Sequence, residues 1–200
     1  GYEDQKIRIL NGGHQILANV AELLSIETVR DAMKNEMIVK LLEKIEKDEI
    51  IPHIKPVPGY TPMEYFELIS ARFSNPSIQD TIRRVAFDGS SRHSGFLVPS
   101  IKDGIEHNIS IIGLSLAEAL WARMCEGTRE DGSIIEPNDP HWEKLNICAK
   151  KSKDNPLKWL GQLEIYGDIS KDKKFCDSFS NWLNMIYERG VENTLKEYLK

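Results

Sequence analysis

Apolar side chains recur along this chain at the spacing of α-helices. Between residues 3 and 25 they stand at every third or fourth position, which predicts a helix that buries one face. The same spacing predicts helices over 27–34, 35–51, 61–75, 76–92, 93–108 and 109–127, and shorter ones over 143–153, 156–160, 171–190 and 191–199. The segment 109–127 is the most apolar, so we expect it to lie at the centre of the core.

Several polar residues and prolines mark where these helices begin and end. Thr61, Pro62 and Glu64 form the pattern of a capping box with proline in the first turn. Ser77 is predicted to cap the 76–92 helix, with Asp80 in its first turn, and the 93–108 helix is expected to be regular after Pro99.

Alternating strand patterns are almost absent from the sequence. One hairpin is predicted at 128–135, turning at Asp131-Gly132. We therefore predict one all-α domain of about seven to ten helices with at most a small β-hairpin.

Length and composition narrow the class of protein. The 200 residues suffice for one domain with its own core, and the net charge of −5 disfavours nucleic acid or an anionic membrane as partner. The three cysteines are widely spaced and there is no signal peptide, which predicts reduced thiols in a cytoplasmic protein. The chain starts at Gly1, without an initiator methionine, so we expect it to be a piece of a longer protein.

The segment KIRILNGGH at residues 6–14 carries the candidate chemistry. On an α-helix Lys6, Asn11 and His14 would fall within a sector of about 140° and rise about 12 Å. Gly12 and Gly13 weaken the helix between them, which suggests a close approach of another molecule to the backbone there.

These three polar residues could together transfer a proton. A lysine held away from water could act as a general base, an asparagine amide could bond a developing oxyanion, and a neutral histidine could orient a hydroxyl. From spacing alone the alternative is that Lys6 and His14 are ordinary surface residues of an amphipathic helix.

Three segments together resemble the mannitol dehydrogenase family of polyol-specific long-chain dehydrogenases. They are the Lys-x4-Asn-x2-His pattern at Lys6, Asn11 and His14, RRVAFDGSSRHSGFLVPSI at 83–101, and EPNDPHW at 136–142. The likeness covers nearly the whole chain as the family's helical substrate domain. It implies the 6-phosphogluconate dehydrogenase C-terminal-domain-like fold over residues 1–200.

The resemblance also implies a partner domain and a cofactor. Members of this family bind NAD or NADP through an N-terminal Rossmann-type domain in cis, and no GxGxxG segment occurs in these residues. The family uses no catalytic metal. We expect Gly12 and Gly13 to let the nicotinamide or substrate approach, and this chain alone to be inactive.

Residue roles follow from the same resemblance. Lys6 is the expected general base, Asn11 polarises the reacting oxygen, and His14 orients the hydroxyl. The expected substrate contacts come from the second segment, at Arg84, Arg92 and His93.

Phe87 departs from this pattern, since it stands where polyol-specific members often have histidine, and His93 could cover that role. Arg92 stands where many members carry lysine. The alternative for the arginines is a solvated basic face paired with acidic residues such as Asp80.

Three functions remain open from the sequence. The first is the catalytic half of a polyol dehydrogenase that interconverts a sugar alcohol such as mannitol or arabitol and a ketose. The second is a hexuronate reductase of the same family, whose substrate carboxylate would pair with Arg84 or Arg92. The third is a helical interaction module without catalysis.

Overall fold

The computed structural model describes residues 1–200 and is helical almost throughout, which confirms the all-α prediction. The helices span Tyr2–Asp4, Gln5–Asn11, Gly12–Leu23, Val29–Ala32, Glu36–Ile45, Glu46–Ile50, Pro62–Phe73, Ile82–Ala86, Gly89–Arg92, His93–Leu97, Val98–His107, Ile112–Cys125, Trp142–Ser152, Leu157–Leu160, Leu163–Tyr166, Lys173–Arg189 and Val191–Tyr198, with 3-10 turns at Ile51–His53 and Gly167–Lys171.

Two of the longest helices each contain a π-helical segment. Residues 2–23 form one continuous helix, here called the site helix, whose stretch Gln5–Asn11 is π-helical. Residues 89–107 form the companion helix, whose stretch His93–Leu97 is π-helical. Pro99 has no N–H to donate within the companion helix, which accounts for an interrupted α-helical ladder there. Such wide turns are rare and concentrate at functional sites.

The core helix Ile112–Cys125 is buried on almost every side, as its sequence predicts. The Glu49 carboxylate caps its start by accepting from the backbone N–H of Gly113 at 2.7 Å and of Leu114 at 2.8 Å. Trp121 and Trp159 are fully buried and pack edge to face beside it. One hydrophobic cluster of 48 buried residues joins this helix to all its neighbours, so the chain has a single core.

The capping box at Thr61 is confirmed, but the helix predicted over 76–92 is wrong. Thr61 Oγ1 accepts from Glu64 N–H at 3.1 Å, and the Glu64 carboxylate accepts in return from Thr61 N–H. Within 76–81 there is no helix, and the helix that follows is only Ile82–Ala86, which is capped by Thr81 and not by Ser77. The residues before it are extended, because Val29 N–H donates to Asp80 O and Ile82 N–H donates to Glu27 O.

Three further elements differ from the prediction. The predicted hairpin is reduced to one isolated bridge between Thr128 and Ile134, although Gly132 does turn the chain with φ of +86°. The helix Leu163–Tyr166 lies outside every predicted element, because four residues are too few to show a helical period. The companion helix also begins at Gly89, well before Pro99.

No helix in the structure combines the length and the apolar character that crossing a membrane requires. Cys125, Cys148 and Cys176 are all unpaired.

Candidate functional site

Lys6 and Asn11 lie at the two ends of the π-helical stretch of the site helix. Five residues of α-helix would leave their side chains about 140° apart around the axis. A π-turn closes its hydrogen bond over five residues, so it brings positions i and i+5 close to the same side. The π-helical stretch therefore aligns Lys6 with Asn11, a relationship that the helical spacing of the sequence does not reveal.

Lys6 itself is exposed in this chain, and Asn11 is partly buried. The domain on its own thus does not hold Lys6 away from water. Arg8, on the same helix, forms ion pairs with Asp4 at 3.0 Å and with Asp103 at 2.5 Å. Because Arg8 is paired in this way, Lys6 is the cation of the site helix that faces solvent.

His14 is held as a neutral imidazole. Its ring stacks on Phe73, with centroids 4.5 Å apart and planes inclined by 19°. Burial lowers the pKa of His14 to about 4, against the opposing charge of Asp80 and with help from three guanidinium groups, those of Arg84, Arg92 and Arg72. A neutral imidazole offers one donor and one acceptor, so His14 can bond a hydroxyl in either direction.

Asp80 and Arg84 form a two-pronged ion pair beside His14. Arg84 Nε donates to Asp80 at 2.7 Å, and a second, shorter bond joins Arg84 Nη2 to the same carboxylate. This pairing lowers the pKa of Asp80 and raises that of Arg84. The Arg84 side chain remains 69% exposed, so the guanidinium can also meet a ligand. This pairing is the one expected if the arginines belong to a solvated basic face that is paired with acidic residues.

Arg92 is tied to the end of the short helix Ile82–Ala86. Its Nη1 donates to Val85 O at 3.0 Å, and the buried Gln15 of the site helix donates to the same oxygen at 3.1 Å. This carbonyl lies in the last turn of a helix and lacks a helical partner. Val85 O thus links Arg92 to Gln15, the residue that follows His14.

His93 does not lie in the candidate site, contrary to the sequence prediction. The side chain is fully buried and stacks on Trp121, with centroids 4.0 Å apart. Its Nδ1 lies 2.7 Å from Glu118, and its Nε2 lies 3.1 Å from Asn19 Nδ2. No substrate can reach this imidazole, because it faces the core side of the companion helix.

Gly12 and Gly13 also differ from expectation, since both are buried inside the domain. A Cβ atom at residue 12 would meet Leu97 and the Phe96 carbonyl, each at 3.4 Å, and one at residue 13 would lie 3.0 Å from Glu46. Glycine at residue 13 therefore lets Glu46 approach the site helix, whereas a Cβ at residue 12 would meet the companion helix at ordinary contact distance. The atoms that come near these two glycines in this chain therefore belong to the same domain.

Sequence reasoning missed Phe73 and Gln15 as parts of the site. Nothing in the pattern distinguishes Phe73 from an ordinary core residue, or Gln15 from a surface residue of an amphipathic helix. Asp80 stands four residues before Arg84, the spacing of a helical ion pair, and the sequence already suggests that the arginines pair with it. No group of three or more His, Cys, Asp or Glu side chains is placed to hold a metal ion.

Comparison with known proteins identifies the family of this chain. Residues 1–187 match the family described as the mannitol dehydrogenase C-terminal domain. The chain is 42% identical over 198 residues to a mannitol 2-dehydrogenase of Cereibacter sphaeroides, covering 99% of this chain and 42% of that protein. It is 28% identical to a mannitol 2-dehydrogenase of Aspergillus oryzae, covering 99% of this chain and 40% of the relative.

Solved structures extend the likeness to the fold. The Pseudomonas fluorescens mannitol 2-dehydrogenase in ternary complex with NAD and D-mannitol superposes with a TM-score of 0.95 at 29% identity, covering 99% of this chain and 40% of the other. A D-sorbitol dehydrogenase in substrate-free form has the same fold, with a TM-score of 0.87 at 24% identity over 97% of this chain and 40% of its own. This chain thus spans about two fifths of these proteins, and it belongs to the mannitol dehydrogenase C-terminal domain family.

Proposed function

We propose that this chain is the catalytic and substrate-binding part of an NAD(P)-dependent polyol dehydrogenase. The single observation that carries the proposal is the row formed by Lys6, Asn11 and the neutral His14 along one helix. Two findings about similar proteins support the reaction class: the relatives are mannitol 2-dehydrogenases, and one structural neighbour is a complex with NAD and D-mannitol.

In this proposal Lys6 accepts the proton of the alcohol that is oxidised. Asn11, aligned with Lys6 by the π-turn, donates its amide hydrogen to the same oxygen as that oxygen gains carbonyl character. The neutral His14 accepts from or donates to the neighbouring hydroxyl and so sets the orientation of the carbon chain. Because Lys6 is exposed here, a second domain must cover it before its amine is withdrawn from water.

In this proposal the dinucleotide is held mainly by residues outside this chain. Gly12 and Gly13, the two expected points of approach, are filled by Leu97 and Glu46 from the same domain. NAD or NADP would therefore be held by the part of the protein outside these residues, and when bound it supplies the acceptor for the hydride. The contribution of this chain is proton transfer and the binding of the polyol.

Arg84, Arg92 and Phe87 form the proposed polyol edge of the site. Each guanidinium already has one partner in the protein, Asp80 or Val85 O, which fixes its orientation while other N–H groups stay available. Phe87 follows the short helix of Arg84 and is 47% exposed, which is unusual for a phenylalanine. Its ring can pack against the C–H face of a polyol, so specificity here would rest on apolar contact.

The hexuronate reductase remains the second candidate, and a specific observation favours it. Three arginines lie around His14, namely Arg72, Arg84 and Arg92, with Asp80 as the anion among them. That excess of positive charge would suit a substrate carboxylate. An interaction module without catalysis is the third candidate, and it offers no reason for a neutral imidazole beside an aligned lysine and asparagine.

The test uses the full-length protein that contains this chain, assayed with NAD and NADP against mannitol, arabitol and mannonate. Oxidation of a neutral polyol with little turnover of mannonate is the expected result. Preference for mannonate would establish the hexuronate function, and a folded protein with no turnover of any of them would favour the interaction module. The variant Arg84→Met separates the first two, because it should weaken the binding of a carboxylate substrate far more than that of a polyol.

A further inference from the structure

A chain of buried hydrogen bonds joins the site helix to the far side of the core. Asn19 Nδ2 lies 3.1 Å from His93 Nε2, and His93 Nδ1 lies 2.7 Å from Glu118 Oε2. The other Glu118 oxygen accepts from the Tyr166 hydroxyl at 2.8 Å, and Trp159 Nε1 donates to that hydroxyl at 2.7 Å. All five side chains are buried, and the proposed reaction uses none of them.

Donors and acceptors match at each contact of this network, and Asn19 Oδ1 is its one buried oxygen without a partner. An amide nitrogen can only donate, so His93 Nε2 accepts from Asn19 and the ring proton sits on Nδ1, from which it is donated to the carboxylate. Glu118 therefore receives hydrogen bonds from both His93 and Tyr166. Buried polar groups that pair in this way stabilise one arrangement of the surrounding helices over others.

His93 is connected to the proposed site in two ways, through the backbone to Arg92 and through Nε2 to Asn19. His93 directly follows Arg92 and begins the π-helical stretch of the companion helix. Its partner Asn19 lies on the site helix and also donates to Gln15 O, the residue whose side chain shares Val85 O with Arg92. Further along, the companion helix touches Gly12 through Phe96 and Leu97.

We propose that His93 is a positioning residue, which holds Arg92 and the site helix in register through its bond to Asn19. The inference rests on the proposed function, because Arg92 is taken there as a substrate contact. An apolar side chain at residue 93 would fill the same space without the cost of burying a polar group. What the imidazole adds is a directional link between two helices, one that carries Lys6 and His14 and one that carries Arg92.

The two nitrogens of His93 can be replaced separately in the full-length protein. In His93→Asn the amide takes the place of Nδ1, so it keeps the bond to Glu118 and loses the bond to Asn19. In His93→Gln the amide reaches the position of Nε2, so it keeps the contact with Asn19. Tyr166→Phe is the matched control, because it removes a hydrogen bond from the same carboxylate on the side away from the site helix.

The expected result is a KM for the polyol that rises about 10-fold in His93→Asn while kcat changes by less than about 2-fold, the pattern of a lost binding contact. In His93→Gln most of this rise in KM should be absent. Asn19→Leu should raise KM as much as His93→Asn does, and the double variant should raise it no further. Tyr166→Phe should lower the melting temperature about as much as His93→Asn does, and it should leave the KM for the polyol unchanged. Equal KM values in His93→Asn and Tyr166→Phe would overturn the proposal.

Amide hydrogen exchange provides a readout that does not depend on turnover. Exchange of residues 12–19 and 92–97 should quicken in His93→Asn and Asn19→Leu but not in Tyr166→Phe. If the wild-type protein turns over no polyol or uronate and this exchange pattern is still observed, the proposed function fails while the coupling through His93 stands. Exchange that follows overall stability in all variants would leave His93 as a core residue and refute the inference.

Discussion

Gly13 and Glu46 meet at the point where the site helix crosses the helix that contains residue 46. A Cβ atom at Gly13 would lie 3.0 Å from Glu46 Oε2, closer than packed atoms normally come. The Glu46 carboxyl group is fully buried, and neither of its oxygens has a hydrogen-bond partner. The neighbouring Gly12 is different, because its Cβ would make ordinary contacts at 3.4 Å.

The two adjacent glycines should therefore respond differently to alanine. Gly12→Ala should leave the free energy of unfolding unchanged or raise it by up to about 1 kcal/mol, because alanine favours the helix. Gly13→Ala should lower it by about 1–3 kcal/mol, because a fully buried carboxyl has little room to move. Urea unfolding of both variants measures the contrast. A lower affinity of Gly12→Ala for NAD with unchanged stability would instead restore the role of Gly12 in cofactor approach.

Glu46 should make the protein less stable as the pH rises. Burial raises the pKa of this carboxyl well above its usual value of 4.5, so it keeps its proton in the folded chain while the unfolded chain loses its own. Above pH 4.5 the folded state then binds more protons, and the free energy of unfolding falls with pH until the folded pKa is passed. Glu46→Gln should remove this slope above pH 5, whereas Glu67→Gln, an exposed control, should keep it.

His14 should act in the opposite direction at acid pH. Its pKa is about 4 in the folded chain and 6.5 without burial, so between these values only the unfolded state binds the proton. The contribution of His14 to the free energy of unfolding is thus fully present above pH 6.5. It declines by up to about 3 kcal/mol as the pH falls to about 4. His14→Phe, which keeps a ring against Phe73, should flatten this decline. The exposed control His141→Asn should leave the decline unchanged.

Lys6→Ala should reduce turnover by several orders of magnitude in the full-length protein, because the proposed general base is removed. Added primary amines should restore part of the activity, since they can enter the space that the side chain vacates. Lys102→Ala provides the control, as an exposed lysine on the companion helix. Near-normal turnover of Lys6→Ala would eliminate Lys6 as the base.

Residues 1–200 expressed alone should fold but not catalyse. The single core supplies enough buried apolar surface for independent folding, so we expect a helical spectrum and a cooperative thermal transition. NAD should bind weakly at most, because in the proposed function the dinucleotide is held mainly by residues outside this chain. Circular dichroism, calorimetry and a turnover assay would test this, and measurable polyol oxidation by the 200 residues would contradict it.

Local signals in the chain were enough to predict much of the fold. The capping box at Thr61 and the apolar segment of the core helix each depend on neighbours a few positions away. The error at 76–92 has a different origin. There two backbone hydrogen bonds to residues 27–29 keep the chain around Asp80 extended and delay the helix until Ile82, and no pattern near Ser77 shows these distant partners.

The sequence by itself determined the all-α class and the family, and it singled out Lys6, Asn11 and His14 as candidates, since these rest on residue types and short spacings. Only the tertiary structure decided which residues face the site. It placed His93 in the core, filled the space over Gly12 and Gly13, and brought Phe73 and Asp80 to His14. The reason is physical: burial and long-range pairing depend on how the helices pack, whereas helical period and capping are properties of the chain itself.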